Sequence, residues 1–276
     1  MLNKNSFDTI CHEHLEYYSV SQIKHICQLA GFKIIDISLN ESNGGSFRCF
    51  VSKRSSPKFE ETSLVKTYLD LENQAKLSED STYFDFMNRC DNQMNKLKMF
   101  LECVKNNNQQ TWVYGASTKG NTLLQYKNMF DVSLLSKAVE RNPQKFGKMT
   151  PGTHIPIISE YEMRNNPPEY LLVLPWHFSE EIIQREKEYL DQGGCLIFPL
   201  PEFRVYSRKP IILMTGVDGQ IGRSVVEEFS KDRKIFGISR QETHLQTHVT
   251  YVNCDLMEKN ILEKWIETLK PSFCVI

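Results

Sequence analysis

The stretch that most restricts this 276-residue chain is Thr215-Gly216-Val217-Asp218-Gly219-Gln220-Ile221-Gly222. It follows the apolar run 210–214 and leads into sequence that reads as a helix to about residue 231. Three glycines at that spacing, between a strand and a helix, suit a tight turn whose backbone approaches a pyrophosphate. The pattern therefore assigns Gly216, Gly219 and Gly222 to a dinucleotide. Further strand-like runs occupy 234–238 and 249–253, and 273–276 looks like the start of a fourth. The second of these strands ends at Ser239-Arg240. An acid at that point would favour NAD, whereas an arginine can pair with a 2′-phosphate, so NADP is slightly preferred. Residues 209–276 thus read as a truncated NAD(P)-binding Rossmann domain.

Upstream, 109–208 alternates in the βα manner. A strand at 111–114 runs into Gly115-Ala116-Ser117-Thr118-Lys119-Gly120, and a helix is expected over 121–128. A second strand at 134–139 ends at Glu140. A third, 170–174, leads into Pro175-Trp176-His177 and a helix through about 190, and Gly193-Gly194 introduces a fourth at 195–199. Strands alternating with helices argue for a Rossmann-like parallel sheet covered on its faces. In 1–55, Ser19 or Ser21 can cap a helix that runs to Ala30 and ends at Gly31. Strands at 32–39 and 46–53 flank Asn43-Gly44-Gly45 as an antiparallel pair, which is how many α/β sheets finish. Between them, 56–108 reads as a helical connector. Leu64, Tyr68, Leu71 and Ala75 recur at helical spacing, as do Phe86, Met94, Leu97, Phe100, Leu101 and Val104. The expected class is α/β throughout.

Bulk properties exclude several functions. Lys plus Arg number 33 and Asp plus Glu 34, a formal net charge of -1, so no basic field steers the chain to nucleic acid or an anionic membrane. No apolar run approaches the ~20 residues of a membrane span, and the N-terminus lacks the apolar core of a signal peptide. The eight cysteines are dispersed without a C-x-x-C, which fits reduced cytoplasmic thiols rather than disulfides or a structural zinc site.

Two further clusters can carry chemistry. Cys11-His12-Glu13-His14, close to Tyr17 and Tyr18, sets two imidazoles around a carboxylate, a plausible proton-transfer site. A surface loop with ordinary histidines is the alternative. The H-x-H spacing also permits a metal, but no third ligand is evident nearby. The second cluster, Gly115-x-x-x-x-Gly120-Asn121-Thr122, nearly matches a P-loop. Asn121 stands where the essential lysine would be and Lys119 is displaced, so ATP hydrolysis is not expected. A glycine turn opening a helix still offers backbone N–H groups to an anion. Glu140 ends the next strand, where an acid can bond ribose hydroxyls. This domain is therefore expected to grip a nucleotide or its phosphates, the alternative being a tight turn without a ligand. His177 lies on the side where open α/β sheets bind ligands, and it equally suits a helix cap or a solvent-facing position.

The run from Phe7 through His14 to Ser19 resembles the signature of SAM-dependent sugar C-methyltransferases. So do Ser42-Asn43-Gly44-Gly45-Ser46-Phe47-Arg48, Gly115 to Asn121, Pro151-Gly152-Thr153-His154-Ile155-Pro156-Ile157, and Leu174-Pro175-Trp176-His177, in the family's order over roughly 5–205. The resemblance implies methylation of a carbon next to a ketone on a nucleotide-linked deoxysugar. His14 would be the general base, supported by Glu13, and the resulting enolate would attack the methyl sulfonium. Cys11 stands where the family usually has a tyrosine that could steady the enolate oxygen. Substrate contacts are expected at Tyr17, Gly115, Ser117, Lys119, Gly120, Asn121, Glu140, Thr153 and His177. The family's zinc-binding domain and S-adenosylmethionine loop match nothing before residue 5, so both are expected outside this chain, which alone should not methylate. Thr215-Gly-x-x-Gly-x-x-Gly is in turn similar to extended short-chain dehydrogenases, including sugar epimerases, dehydratases and ketoreductases. Asp255 would contact adenine, and the Tyr-x-x-x-Lys catalytic pair would lie downstream.

Three readings follow. The chain is part of a sugar C-methyltransferase continuing into a reductase or epimerase; or the dehydrogenase is the working activity and the upstream part a scaffold; or the whole is a non-catalytic nucleotide-sugar binding module. A nucleotide-sugar is the expected partner in each.

Overall fold

Helix α1 (Val20–Leu29) starts at Ser19, whose side chain accepts from the Gln22 amide while the Gln22 side chain accepts from the Ser19 amide. Ser19, not Ser21, is the cap. The amides between them, of Val20 and Ser21, donate to the Glu72 carboxylate, a negative group where the helix dipole favours one. Glu72 belongs to α2 (Ser63–Gln74). Beyond α1, Gly31 takes φ +78 and β1 (Phe32–Asn40) pairs antiparallel with β2 (Ser46–Lys53). The computed structural model describes residues 1–40, 44–240, 246 and 248–276. Of the expected turn, Gly44 and Gly45 both have positive φ; Ser42 and Asn43 lie outside the described residues.

The chain divides into two compact units, Met1–Cys90 and Asp91–Ile276. The first closes around Val20, Ile34, Ile37 and Val65, with Phe47, Tyr68 and Leu69 packed against them. This corrects the expected stripe on α2: Leu64 and Leu71 are exposed, and Val65 is buried. The two candidate stripes share Tyr68 and differ by one position, about 100° of helix rotation, so both satisfied the apolar spacing. Helix α3 (Asp80–Asn106) runs through the boundary between units. Its Phe86, Met94, Leu97, Phe100, Leu101 and Val104 are all buried, as the spacing predicts.

The second unit holds two sheets. The first contains β3 (Thr111–Tyr114), β4 (Ala138–Glu140), β5 (Ile157–Ser159), β6 (Tyr170–Val173), β7 (Cys195–Phe198) and β8 (Arg204–Tyr206). Their spatial order is β5-β4-β3-β6-β7-β8, parallel except for β8. That is the doubly wound order, with its reversal between β3 and β6. The helices between these strands are α4 (Thr118–Leu124), α5 (Glu160–Asn165), α6 (Ser179–Arg185) and α7 (Lys187–Asp191). The second sheet is all parallel, in the order β11-β10-β9-β12: β9 (Ile211–Thr215), β10 (Lys234–Ser239), β11 (Val249–Asn253) and β12 (Phe273–Val275). Helices α8 (Gln220–Phe229) and α9 (Lys259–Leu269) connect its strands.

Several expectations needed correction. The strand expected at 134–139 shrinks to β4. The Asp131 side chain accepts from the Ser133 amide, and the Leu134 and Leu135 amides turn back to its carbonyl, so a turn takes the first half. The helix expected over 121–128 begins earlier, at Thr118, and gives way to a 3-10 turn in which Lys127 and Asn128 have positive φ. The helix expected through 190 is split between α6 and α7 at Glu186, whose carboxylate is fully buried against Tyr114 and Arg164. Strands β5 and β8, each of three residues, and helices α5 and α9 were not anticipated. No helix among the described residues is long and apolar enough to cross a membrane, and all eight cysteines are free.

Candidate functional site

In the second unit a crevice of about 400 Å³ opens where β3, β4 and β6 end, at the reversal of strand order. Of the residues singled out in the sequence, Gly115, Ser117 and Glu140 line it, together with Tyr114, Arg141, Glu160, Pro175 and Arg185, while Lys119, Gly120, Asn121 and His177 do not. Gly115 takes φ +89, and a Cβ there would crowd the Pro175 ring at 3.1 Å. Gly120 is buried, and a Cβ would stand 2.7 Å from Leu174 Cδ1, so glycine lets α4 lie close to the end of β6.

Much of the turn's hydrogen-bonding capacity is met from within. The Gly115 amide donates to Val139 O, and the Gly120 amide to Ser117 Oγ, the cap of α4. The Ala116 amide donates to Glu140 Oε2, which also takes Lys145 Nζ at 3.0 Å. Glu140 Oε1 accepts from the amides of Arg141 and Asn142. Burial alone would raise the Glu140 pKa, but Lys145 and these two amides outweigh it and hold the carboxyl below its ordinary value. Glu140 is thus fastened to the turn with four donors around it.

Asn121 donates to Ser117 O, while its Oδ1 is buried without a hydrogen-bond partner. His177 is half-buried in a 3-10 turn between Trp176 and Phe178. Burial lowers its pKa, and the Lys119 charge lowers it further. Thr153 sits in a turn where its hydroxyl meets that of Thr150 at 2.7 Å. It is not among the residues lining the crevice. Sequence reading missed Arg141 and Arg185. Arg141 directly follows Glu140 and could have been found. Arg185 reaches the crevice from α6, where it pairs with Glu160 on α5, and no local signal points there.

In the first unit His14 and Tyr17 converge on one backbone oxygen. His14 Nδ1 lies 2.8 Å from Thr9 O, and the Tyr17 hydroxyl donates to the same atom at 2.6 Å. A carbonyl only accepts, so the neutral imidazole carries its proton on Nδ1 and keeps the Nε2 lone pair. The resemblance gave ring support to Glu13; here the Thr9 carbonyl holds Nδ1. His14 and Glu13 are both exposed. Tyr17 borders an open hollow of about 730 Å³ with Leu15, Tyr18, Ser21 and His25. Burial, then the nearby Cys11 thiol, raises the Tyr17 pKa.

The glycine-rich turn after β9 has a steric reason for each end. Gly216 takes φ +64. A Cβ on Gly222 would come within 2.0 Å of Gly216 O, so α8 can pack on the turn only with glycine there. Gly219 caps α8, and its amide donates to Gly216 O. Arg240 and Asp255, at the ends of β10 and β11, approach to 3.8 Å, with the arginine side chain 76% exposed.

Comparison with known proteins matches residues 41–201 to the C-methyltransferase C-terminal domain. Residues 212–276 match the NAD dependent epimerase/dehydratase family. The chain is also similar to the C-methyltransferase NovU of Streptomyces niveus, with 31% identity over 207 residues. That alignment covers 75% of this chain and 49% of NovU, so the chain spans about half the length of this relative.

Proposed function

We propose, from the premise that the chain belongs to the C-methyltransferase family, that it supplies the proton-abstracting and nucleotide-holding parts of a methyltransferase acting on a nucleotide-linked keto-deoxysugar. The observation that carries this reading is the Nδ1–H of His14 held on Thr9 O, with Tyr17 on the same oxygen. It leaves the Nε2 lone pair free to take a proton. A carbon next to a ketone becomes nucleophilic only when deprotonated, and an oriented imidazole is suited to take that proton. The Tyr17 hydroxyl donates to the same carbonyl. Glu13 would stabilise the imidazolium once it forms. S-adenosylmethionine would supply the methyl group, and it is assigned to no residue of this chain.

The switch-point crevice would take the nucleotide of the substrate. Arg141 would offer positive charge to a diphosphate and Ser117 a polar contact, Arg185 being paired with Glu160; His177, outside the crevice lining, would meet the substrate beyond it. Lys119, Gly120, Asn121 and Thr153 would act by shaping α4 and the turn beside it. In the last segment Gly216, Gly219 and Gly222 would hold the pyrophosphate of NAD(P), which supplies or accepts hydride. The exposed Arg240 supports a preference for NADP, and Asp255 would contact adenine.

The test uses a preparation competent in methyl transfer, placed in deuterium oxide with a keto-deoxysugar nucleotide. Loss of the proton signal next to the ketone reports the base directly. His14→Asn should slow that loss by at least about 100-fold, with nucleotide-sugar affinity within about threefold, ~0.7 kcal/mol. Exchange at the native rate would remove His14 from the mechanism. A second reading, in which the dehydrogenase works and the upstream part is a non-catalytic binding module, is favoured by the closely packed turn at Gly216 and Gly222. It predicts hydride transfer without any His14-dependent exchange.

A further inference from the structure

Strand β11 lies at the edge of the second sheet. Edge strands expose amides and carbonyls that need a partner. Here Tyr251 gives both of its backbone groups to one side chain: its amide donates to Asn107 Oδ1 at 2.6 Å, and its carbonyl accepts from Asn107 Nδ2 at 2.8 Å. A side-chain amide carries one donor and one acceptor spaced like those of a peptide group, so Asn107 stands in for the next strand. The two are 144 positions apart, and this is a contact between domains, because Asn107 follows α3 and leads into β3 of the other sheet. The Cys103 thiol donates to the same Tyr251 carbonyl. Beside it, the fully buried Thr250 hydroxyl bonds Gln109 Oε1 at 3.0 Å and the Tyr170 hydroxyl at 3.1 Å.

The contact continues inward. The Tyr251 hydroxyl donates to Asp218 Oδ1 at 2.6 Å and accepts from the Gln246 amide. The Gln246 side chain in turn donates to Val217 O at 2.6 Å. Val217 and Asp218 form the turn between Gly216 and Gly219. One residue of β11 is therefore held outside by the neighbouring domain and inside by the glycine-rich turn.

From this we infer that the surface around Asn107 is a docking site for the edge of the dinucleotide-binding sheet, and that Asn107, acting through Tyr251, positions the glycine-rich turn. Asn107 is a positioning residue: it touches neither turn nor dinucleotide. The inference does not depend on the reaction assigned above. It makes the two sheets one cooperative body, in which the dinucleotide segment is completed by the domain that precedes it.

Hydrogen–deuterium exchange on the full chain tests this. Asn107→Leu, similar in size but without either polar group, should speed exchange at Tyr251 and across 216–219 by at least about tenfold, leaving β6 and β7 unchanged. Asn107→Asp keeps the acceptor but loses the donor, and it should fall between Asn107→Leu and the native chain. Tyr251→Phe removes the hydroxyl's links to Asp218 and to the Gln246 amide and leaves the backbone pair with Asn107 in place. It should loosen 216–219 while β11 stays protected, and it keeps the test decisive where Asn107→Leu lowers overall stability. Native exchange at 216–219 in both Asn107→Leu and Tyr251→Phe would overturn the inference. So would β11 loosening in Asn107→Leu without any change at 216–219.

Discussion

Gly222→Ala should cost the second unit about 2 kcal/mol, although alanine is the better helix former. The added Cβ would lie 2.0 Å from Gly216 O and 2.9 Å from both Gly216 C and Val217 O. All three are backbone atoms, and no side chain can rotate away to make room. Helix α8 must retreat by about 1 Å before the contact becomes tolerable. Overpacking of this kind costs about 1–3 kcal/mol, and the helical preference for alanine over glycine returns about 0.8–1 kcal/mol. With backbone on both sides, the cost belongs at or above the upper end, which leaves the net value given. For a unit of this size that is roughly 4–8 °C in Tm. Two neighbours calibrate the result. Gly219→Ala meets Gly216 O at 3.2 Å, a mild contact, and should cost well under about 1 kcal/mol. Gly216→Ala meets nothing within 4 Å but must hold φ +64, a strain of about 1–2 kcal/mol. Urea denaturation of the three variants, with NADPH titration alongside, should rank Gly222→Ala as the most damaging and Gly219→Ala as the least. If Gly222→Ala were as stable as Gly219→Ala, the close approach of helix and turn would not be what demands glycine.

Glu140→Gln should destabilise the second unit at neutral pH. The folded pKa of Glu140 is lowered, so its contribution is fully present above the unfolded value of about 4.3 and fades as pH falls through the folded value. The gap between native and Glu140→Gln melting curves should close in acid; a gap independent of pH would show that charge is not involved. His177 is a base whose folded pKa is lowered, so it contributes stability above its unfolded value of about 6.5 that is lost as pH falls below it. Lys119→Met should raise the His177 pKa in an NMR titration. Only part of the shift should be relieved, because burial is the larger cause. An unmoved titration would mean that the lysine charge does not reach the imidazole.

Where one stretch of chain contained its own reason, the sequence was readable. The turn at Gly216, Gly219 and Gly222 lies between a strand and a helix within a dozen residues, and Ser19 with Gln22 makes its capping box locally. Helix α9 also has a local trace, since Ile261, Leu262, Trp265 and Leu269 recur at helical spacing. Other features have no local trace. Arg185 and Glu160, 25 positions apart, meet only once the sheet has folded. Asn107 is the middle residue of an Asn-Asn-Asn run that resembles any helix terminus, and only the docked edge of β11 distinguishes it. The stripe on α2 was ambiguous because both candidates are apolar, and the choice depends on β1 presenting Ile34 and Ile37.

The Glu72 carboxylate on the Val20 and Ser21 amides ties α1 to a residue some fifty positions later. On a ribosome, α1 emerges with only Ser19 to satisfy its first turn. Its remaining amides stay hydrated until the chain has been made through residue 72, and Val65, the last fully buried member of its apolar cluster, arrives only shortly before. A nascent chain arrested between the two strands and α2 would therefore carry α1 as a fraying, unanchored segment, and the first unit would set in a single late event.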